Sequence, residues 1–400
     1  MSRTRFAVIA LVAIILTVAA APGAKKEQCT SAVIHPDATR QHRPVLWKNR
    51  DTDVLSNKVV YVKAVPFSYL ALVNADATSG RQCYAGLNSA GFAIMNTVAY
   101  NLPRKSGEME DLEGIIMADA LRTCRTIEDF EKYIQSNLGP DLGSWANYGL
   151  IDSEGQACIL EVHNHGFARH DASAVPEKYL VNTNYARSGD EGRGAGYLRF
   201  ERASRLFDEF EPGAVDPERI LTEFSRDLGH VLLRQPSLDD AAGAPSDRDL
   251  WIFTRDCINR PSTSAAVVII GKKIGNPRSL ATMWVIPGEP VCAVAVPLWV
   301  EAGRSPRCMW TGKDAPMWGE SLRLKDIVRP AKEGNKEDYL NLIRLINADG
   351  SGFLPVIRRV EREIIDRTNE FLTFDHTPEE IGDFQDELAE KAMAALKTIR

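Results

Sequence analysis

The sequence is poor in the patterns that mark several common functions. Among its 400 residues no basic block of five or more occurs and the net charge is -6. A nucleic acid-binding stripe is therefore not expected. Its seven cysteines show no Cys-x-x-Cys or Cys-x-x-His spacing, which argues against the usual zinc and redox motifs. The histidines are scattered, and none completes a cysteine–histidine signature of the papain kind. No internal repeat or low-complexity tract is evident. The one long apolar run, Phe6 to Ala21, is short for a membrane span. No cofactor and no metal are expected.

What the chain does have is enough apolar residue, 44%, for one large core with a helical unit appended. Its first 24 residues have the form of a signal peptide: Arg3 and Arg5, the apolar run, then Ala-Pro-Gly-Ala. Export is expected, with no stable membrane span after processing. Lys25 to Gln28 then forms a short pro-segment, lost by trimming or by self-cleavage at Gln28–Cys29. Charged and polar residues directly before Cys29 disfavour lipidation there. Setting Cys29 aside leaves Cys83, Cys124, Cys158, Cys257, Cys292 and Cys308. In an exported chain these permit up to three disulfides. Buried free thiols are the equal alternative.

Apolar and β-branched runs predict strands at 29–34, 45–51, 59–63 and 68–73. A hairpin is expected from Tyr84 to Thr97 around Asn88-Ser89-Ala90-Gly91. Helices are expected over 112–124, from the capped start Thr126-Ile127-Glu128-Asp129, over 195–210 and over 217–233. Strands return at 148–151, 157–162, 264–270, 281–286 and 291–296, the last pair joined by Pro287-Gly288-Glu289-Pro290. After 330 the pattern is helical, with a stripe at Val356, Ile357, Val360 and Ile364 and a capping box at Thr377-Pro378-Glu379-Glu380. This order predicts an α+β fold of layered antiparallel sheets. Residues 330–400 are read as a helical extension on a core domain of residues 29–329. Glu161, His163 and His165 alternate, but with no further ligand nearby a solvated strand end is expected.

The stretch Cys29-Thr30-Ser31-Ala32-Val33-Ile34 organises the rest. If the chain is cut before it, Cys29 carries a thiol and a free α-amine together. A thiol of pKa about 8.5 beside an amine of pKa about 8 is a nucleophile with its own base. The run Val45 to Asp51 is its partner strand and delivers Lys48, Asn49 and Asp51 to the same place.

Cys-Thr-Ser followed by a Lys-Asn-Arg-Asp strand resembles the cysteine N-terminal-nucleophile hydrolases: choloylglycine hydrolases, penicillin V acylases and acyl-coenzyme A:isopenicillin N acyltransferase-like proteins. The resemblance covers roughly residues 29 to 300 and implies a four-layer αββα fold. It further implies Cys29 as nucleophile, Asp51 as partner of its amine, and Asn96 and Asn184 as oxyanion donors. Asn182 competes with Asn184. Arg260, before the strand at 264, is implied as part of the same network. Lys48 stands where the related enzymes carry arginine and cannot offer its bidentate fork. Arg50 could supply the guanidinium but is expected on the opposite face. The implied activity is cleavage of a linear amide C–N bond in a small N-acyl substrate, with water or an amine as acceptor. The alternatives are a dipeptidase of the same superfamily and a secreted, disulfide-stapled binding domain. A homo-oligomer is compatible with the sequence.

Overall fold

The computed structural model describes residues 28–78, 80–276, 278–312, 315–332 and 334–400. The expected signal peptide and residues 25–27 of the pro-segment lie outside them. In chain order the strands are β1 (Thr30–Ile34), β2 (Val45–Asp51), β3 (Asn57–Val62), β4 (Tyr69–Asn74), β5 (Ala85–Asn88), β6 (Ala93–Val98), β7 (Trp145–Ile151) and β8 (Ala157–His163). They continue as β9 (Gly166–Asp171), β10 (Tyr179–Asn182), β11 (Trp251–Phe253), β12 (Thr263–Ile270), β13 (Thr282–Pro287), β14 (Val296–Leu298) and β15 (Tyr339–Asn341).

Two antiparallel sheets form the centre. One runs β10-β1-β2-β12-β13-β14; the other is a meander from β3 to β9 in sequence order. They pack face to face, so β1 and β2 are buried at every position instead of alternating. Gly149 of β7 shows how close the approach is. A Cβ there would collide with Met95 Cε and lie 3.0 Å from Val33 Cγ1 of β1.

Each outer face is covered by helices. Tyr148, Leu150, Leu160 and Phe92 of the meander meet Ile116, Leu121, Phe130 and Ile134 of the helices Glu113–Thr123 and Ile127–Asn137. Beyond the other sheet, Trp47 packs at 6.1 Å from Phe207 and 6.4 Å from Phe224. The result is a four-layer αββα arrangement, as expected. The C-terminal helices Leu354–Phe371 and Pro378–Thr398 dock beside β14. Glu361 accepts from Arg226 Nη2 (2.6 Å) and Ala295 N (2.8 Å), and Gln385 Oε1 accepts from Trp299 N (3.2 Å). The chain after 330 is not helical throughout, because β15 pairs with β11. Among the described residues no helix is long and apolar enough to cross a membrane.

Three expectations are corrected. The helix over 217–233 ends at Thr222, followed by the 3-10 turn Phe224–Arg226. Ser225 Oγ donates to Ile220 O (3.0 Å) and Arg226 Nη1 to Leu221 O (2.8 Å), taking carbonyls a continuing helix would use. The strand over 291–296 opens instead as the 3-10 turn Pro290–Cys292, with Val291 N bonded to Asn259 Oδ1 (3.1 Å). Pairing with β13 resumes only at Val296. Finally, among the described residues none of Cys83, Cys124, Cys158, Cys257, Cys292 and Cys308 is bridged to another, so the three permitted disulfides do not form. Burial pushes Cys83, Cys257 and Cys308 up to about 12 and Cys124 up to about 11.

Candidate active site

Cys29 stands at the head of β1, the second strand of its sheet. Thr30 pairs with Asn49 and Ser31 with Lys48. One step further Gln28 N donates to Asp51 O (3.1 Å), which continues the ladder past Cys29. On the other flank β10 pairs Asn182 with Ser31, so Asn184, two residues past it, reaches Cys29. Its Oδ1 accepts from Cys29 N at 2.8 Å. Its Nδ2 donates to Val98 O at 3.0 Å. Asn184, expected as an oxyanion donor, here holds the Cys29 backbone as an acceptor. Asn182 instead meets Thr97 Oγ1 (3.3 Å) and Arg187 Nη1 (3.1 Å).

A residue that the sequence did not point out completes the clasp. Arg199, fully buried, donates to Cys29 O (2.5 Å), Thr30 Oγ1 (2.8 Å) and Asn184 Oδ1 (2.9 Å). It lies in the first turn of the helix Tyr197–Phe207. Gly196 precedes that helix at φ 82°, and a Cβ there would press on Arg199 Nη2 at 2.5 Å. The signal was present: Arg199 lies four residues before Ala203, on the helix's own apolar stripe.

Asp51 ends β2 and is fully buried. Thr263 Oγ1 donates to its Oδ1 at 2.8 Å. Its Oδ2 lies 3.9 Å from both Arg199 Nη1 and Arg260 Nη1 and accepts no hydrogen bond from the described residues. Burial pushes the carboxyl up to about 6, against the pull of Arg260, Arg199, Thr263 and Lys48. Arg260 Nη1 is engaged by Gln28 Oε1 at 2.6 Å.

The opposite face of β2 looks into the space between the sheets. Lys48 Nζ donates to Tyr84 O (2.8 Å) and Asn96 Oδ1 (2.9 Å). Arg50 was expected on the face opposite to Lys48; it is on the same one, as residues two apart on a strand must be. Its guanidinium bonds Asn57 Oδ1 and Asn74 Oδ1 and lies 3.5 Å from the Tyr84 ring centre. It is thus committed beside the site and is no substitute for the missing arginine at 48. Because Lys48 takes the oxygen of Asn96, Nδ2 is the end of that amide left to donate.

Of the alternating acid–histidine group, His163 and His165 lie at the expected solvated strand end, but Glu161 does not. Glu161 is fully buried and accepts from Arg187 N (2.5 Å) and Ser188 N (2.7 Å), while His165 meets Glu108 at 2.6 Å. Among the described residues no three His, Cys, Asp or Glu side chains cluster as a metal site.

No family profile matches the sequence and no curated protein is a recognisable relative. Solved structures similar to this chain include a conjugated bile acid hydrolase mutant from Clostridium perfringens, with 10% identity, 68% of this chain and 92% of that one covered, and a TM-score of 0.39. Penicillin V acylase from Agrobacterium tumefaciens is 15% identical, over 68% of this chain and 86% of that one, with a TM-score of 0.39. The Caenorhabditis elegans ortholog of an N-acylethanolamine-hydrolyzing acid amidase is 16% identical over 44% of this chain and 79% of that one, at a TM-score of 0.31.

Proposed function

We propose that the protein is an exported amide hydrolase or acyltransferase whose nucleophile is Cys29, exposed as the N-terminal residue by cleavage after Gln28. The observation that carries this reading is the setting of Cys29. Asn184 and Arg199 hold its backbone nitrogen and oxygen at 2.8 Å and 2.5 Å, beside a buried carboxylate whose Oδ2 accepts no hydrogen bond from the described residues. A buried carboxylate oxygen without a donor is costly. The α-amine created by cleavage supplies the donor it lacks.

In this mechanism the Cys29 thiol passes its proton to its own α-amine, and Sγ attacks the substrate carbonyl carbon. The amide C–N bond then breaks and the amine leaves with that proton. The thioester is released by water or by an acceptor amine, with the α-amine again managing the proton. Asp51 orients the amine. Asn96 Nδ2, set by Lys48, donates to the oxyanion. Asn184 and Arg199 keep the head of β1 in place, and Arg260 lies on the pro-segment side of Asp51. The export part rests on residues 1–24 alone.

The test is a panel of N-acyl amino acids, bile salts, penicillin V and dipeptides offered to protein whose N-terminus is Cys29, with Cys29→Ser as control. Cleavage of an amide by the wild type alone is expected. If no amide is cleaved, or if Cys29→Ser cleaves as well as wild type, the proposal fails.

A further inference from the structure

Gln28 makes two contacts that a spent pro-segment residue would not need. Its backbone N meets Asp51 O, and its side-chain Oε1 takes Arg260 Nη1 at 2.6 Å. Arg260 is 7% exposed, and its buried Nε has no acceptor among the described residues. Gln28 is also the acyl side of the bond ahead of Cys29: its carbonyl carbon is the atom Sγ would attack in self-cleavage. One sulfur and one oxyanion site serve that bond and any substrate bond alike, so the two acyl groups must begin along the same path. We propose, resting on the amide-hydrolase reading above, that Arg260 recognises an oxygen acceptor on the substrate's acyl group, placed where Gln28 carries its carboxamide. The acyl class is then glutaryl or glutaminyl, which match glutamine in the number of carbons between the attacked carbonyl and the acceptor.

Physical chemistry supports a preference as well as a fit. Cleavage removes Gln28 and leaves the Arg260 guanidinium buried without its 2.6 Å acceptor. An acyl group lacking an oxygen there leaves those N–H groups unpaired, and a site built to hydrogen-bond a group rejects the analogue without it strongly. A carboxylate forms the stronger, charge-assisted contact; a carboxamide forms the one Gln28 itself makes.

The experiment compares glutaryl, glutaminyl and pentanoyl amides of one chromogenic amine on protein with N-terminal Cys29. The expected result is a kcat/KM at least about 10-fold higher for glutaryl or glutaminyl than for pentanoyl. The order of the first two tells a charged from a neutral acceptor. Arg260→Met should bring the ratio to pentanoyl close to unity, and Arg260→Lys should restore part of it. Because the readout is a ratio, a shared loss of turnover in the variants does not disturb it. Pentanoyl cleaved as well as glutaryl and glutaminyl, or a ratio unmoved by Arg260→Met, would overturn the assignment while leaving amide hydrolysis standing. Cleavage of none of the three, nor of the wider panel, would overturn both.

Discussion

The two ends of the β1–β2 pair are equally buried and chemically opposite. At one end lie Ala32, Val33, Ile34, Val45, Leu46 and Trp47; at the other Thr30, Ser31, Lys48, Asn49, Arg50 and Asp51, all 2% exposed or less. The apolar end is what a sheet covered on both faces calls for. The polar end costs free energy at each group unless a partner is supplied. Nearly all of these groups are paired, to Asn96, Tyr84, Ser225, Asn57, Thr263 and Arg199. Asp51 Oδ2 has no donor among the described residues, and in the mechanism proposed above the cysteine amine supplies one. One end of the pair thus serves the fold; under the proposed function the other holds its polar groups for chemistry.

The sharpest way to break this comparison is Cys29→Ser. Turnover should fall by orders of magnitude, since serine is a poorer nucleophile with a far higher pKa, while the melting temperature barely moves. If maturation is self-catalysed, the uncut precursor should accumulate on a gel. At the apolar end the effect should reverse. Trp47→Ala is expected to cost about 3–5 kcal/mol of stability by denaturant titration, with kcat per folded molecule little changed. Asn96→Ala is the next largest: kcat should drop by about 10²-fold or more with KM nearly constant. Unchanged kcat with a raised KM would move Asn96 to the substrate pocket. Asp51→Asn should depress turnover far more than stability, and a proportionate loss of both would mark Asp51 as structural.

The smallest effect concerns pH. Asp51 is pushed up to about 6 in the fold, above the usual range for an exposed aspartate of about 4. A carboxyl raised on folding contributes stability that is present below its unfolded pKa and lost as pH rises through its folded one. In uncut protein, the stability of Asp51→Asn relative to wild type should therefore increase between about pH 4 and pH 6. A flat difference across that window would show that the carboxyl titrates normally.

Much of this was legible in the chain. The continuous apolar and β-branched character of 30–34 and 45–47 marks strands covered on both faces. Thr126 and Thr377 form the capping boxes their sequences announce. Asn88 closes its hairpin turn with side-chain bonds to Ala90 N and Phe92 N, both 3.0 Å. What escaped was set by distant partners. Ser225 and Arg226 stop a helix whose apolar spacing would have carried on. The Pro287–Pro290 segment reads as a tight turn until Asn259, far away in sequence, claims Val291 N. Arg199 looks like a helix surface charge unless its place on the apolar stripe is weighed. The acceptor role of Asn184 depends on the register of β10 against β1, which no local pattern specifies.

The most direct test of the central claim is the intact mass of the catalytically active protein. The account predicts an N-terminus at Cys29, with its thiol and α-amine both unmodified. Full activity in protein that still carries Gln28, or any residue before it, would contradict the free-amine mechanism outright.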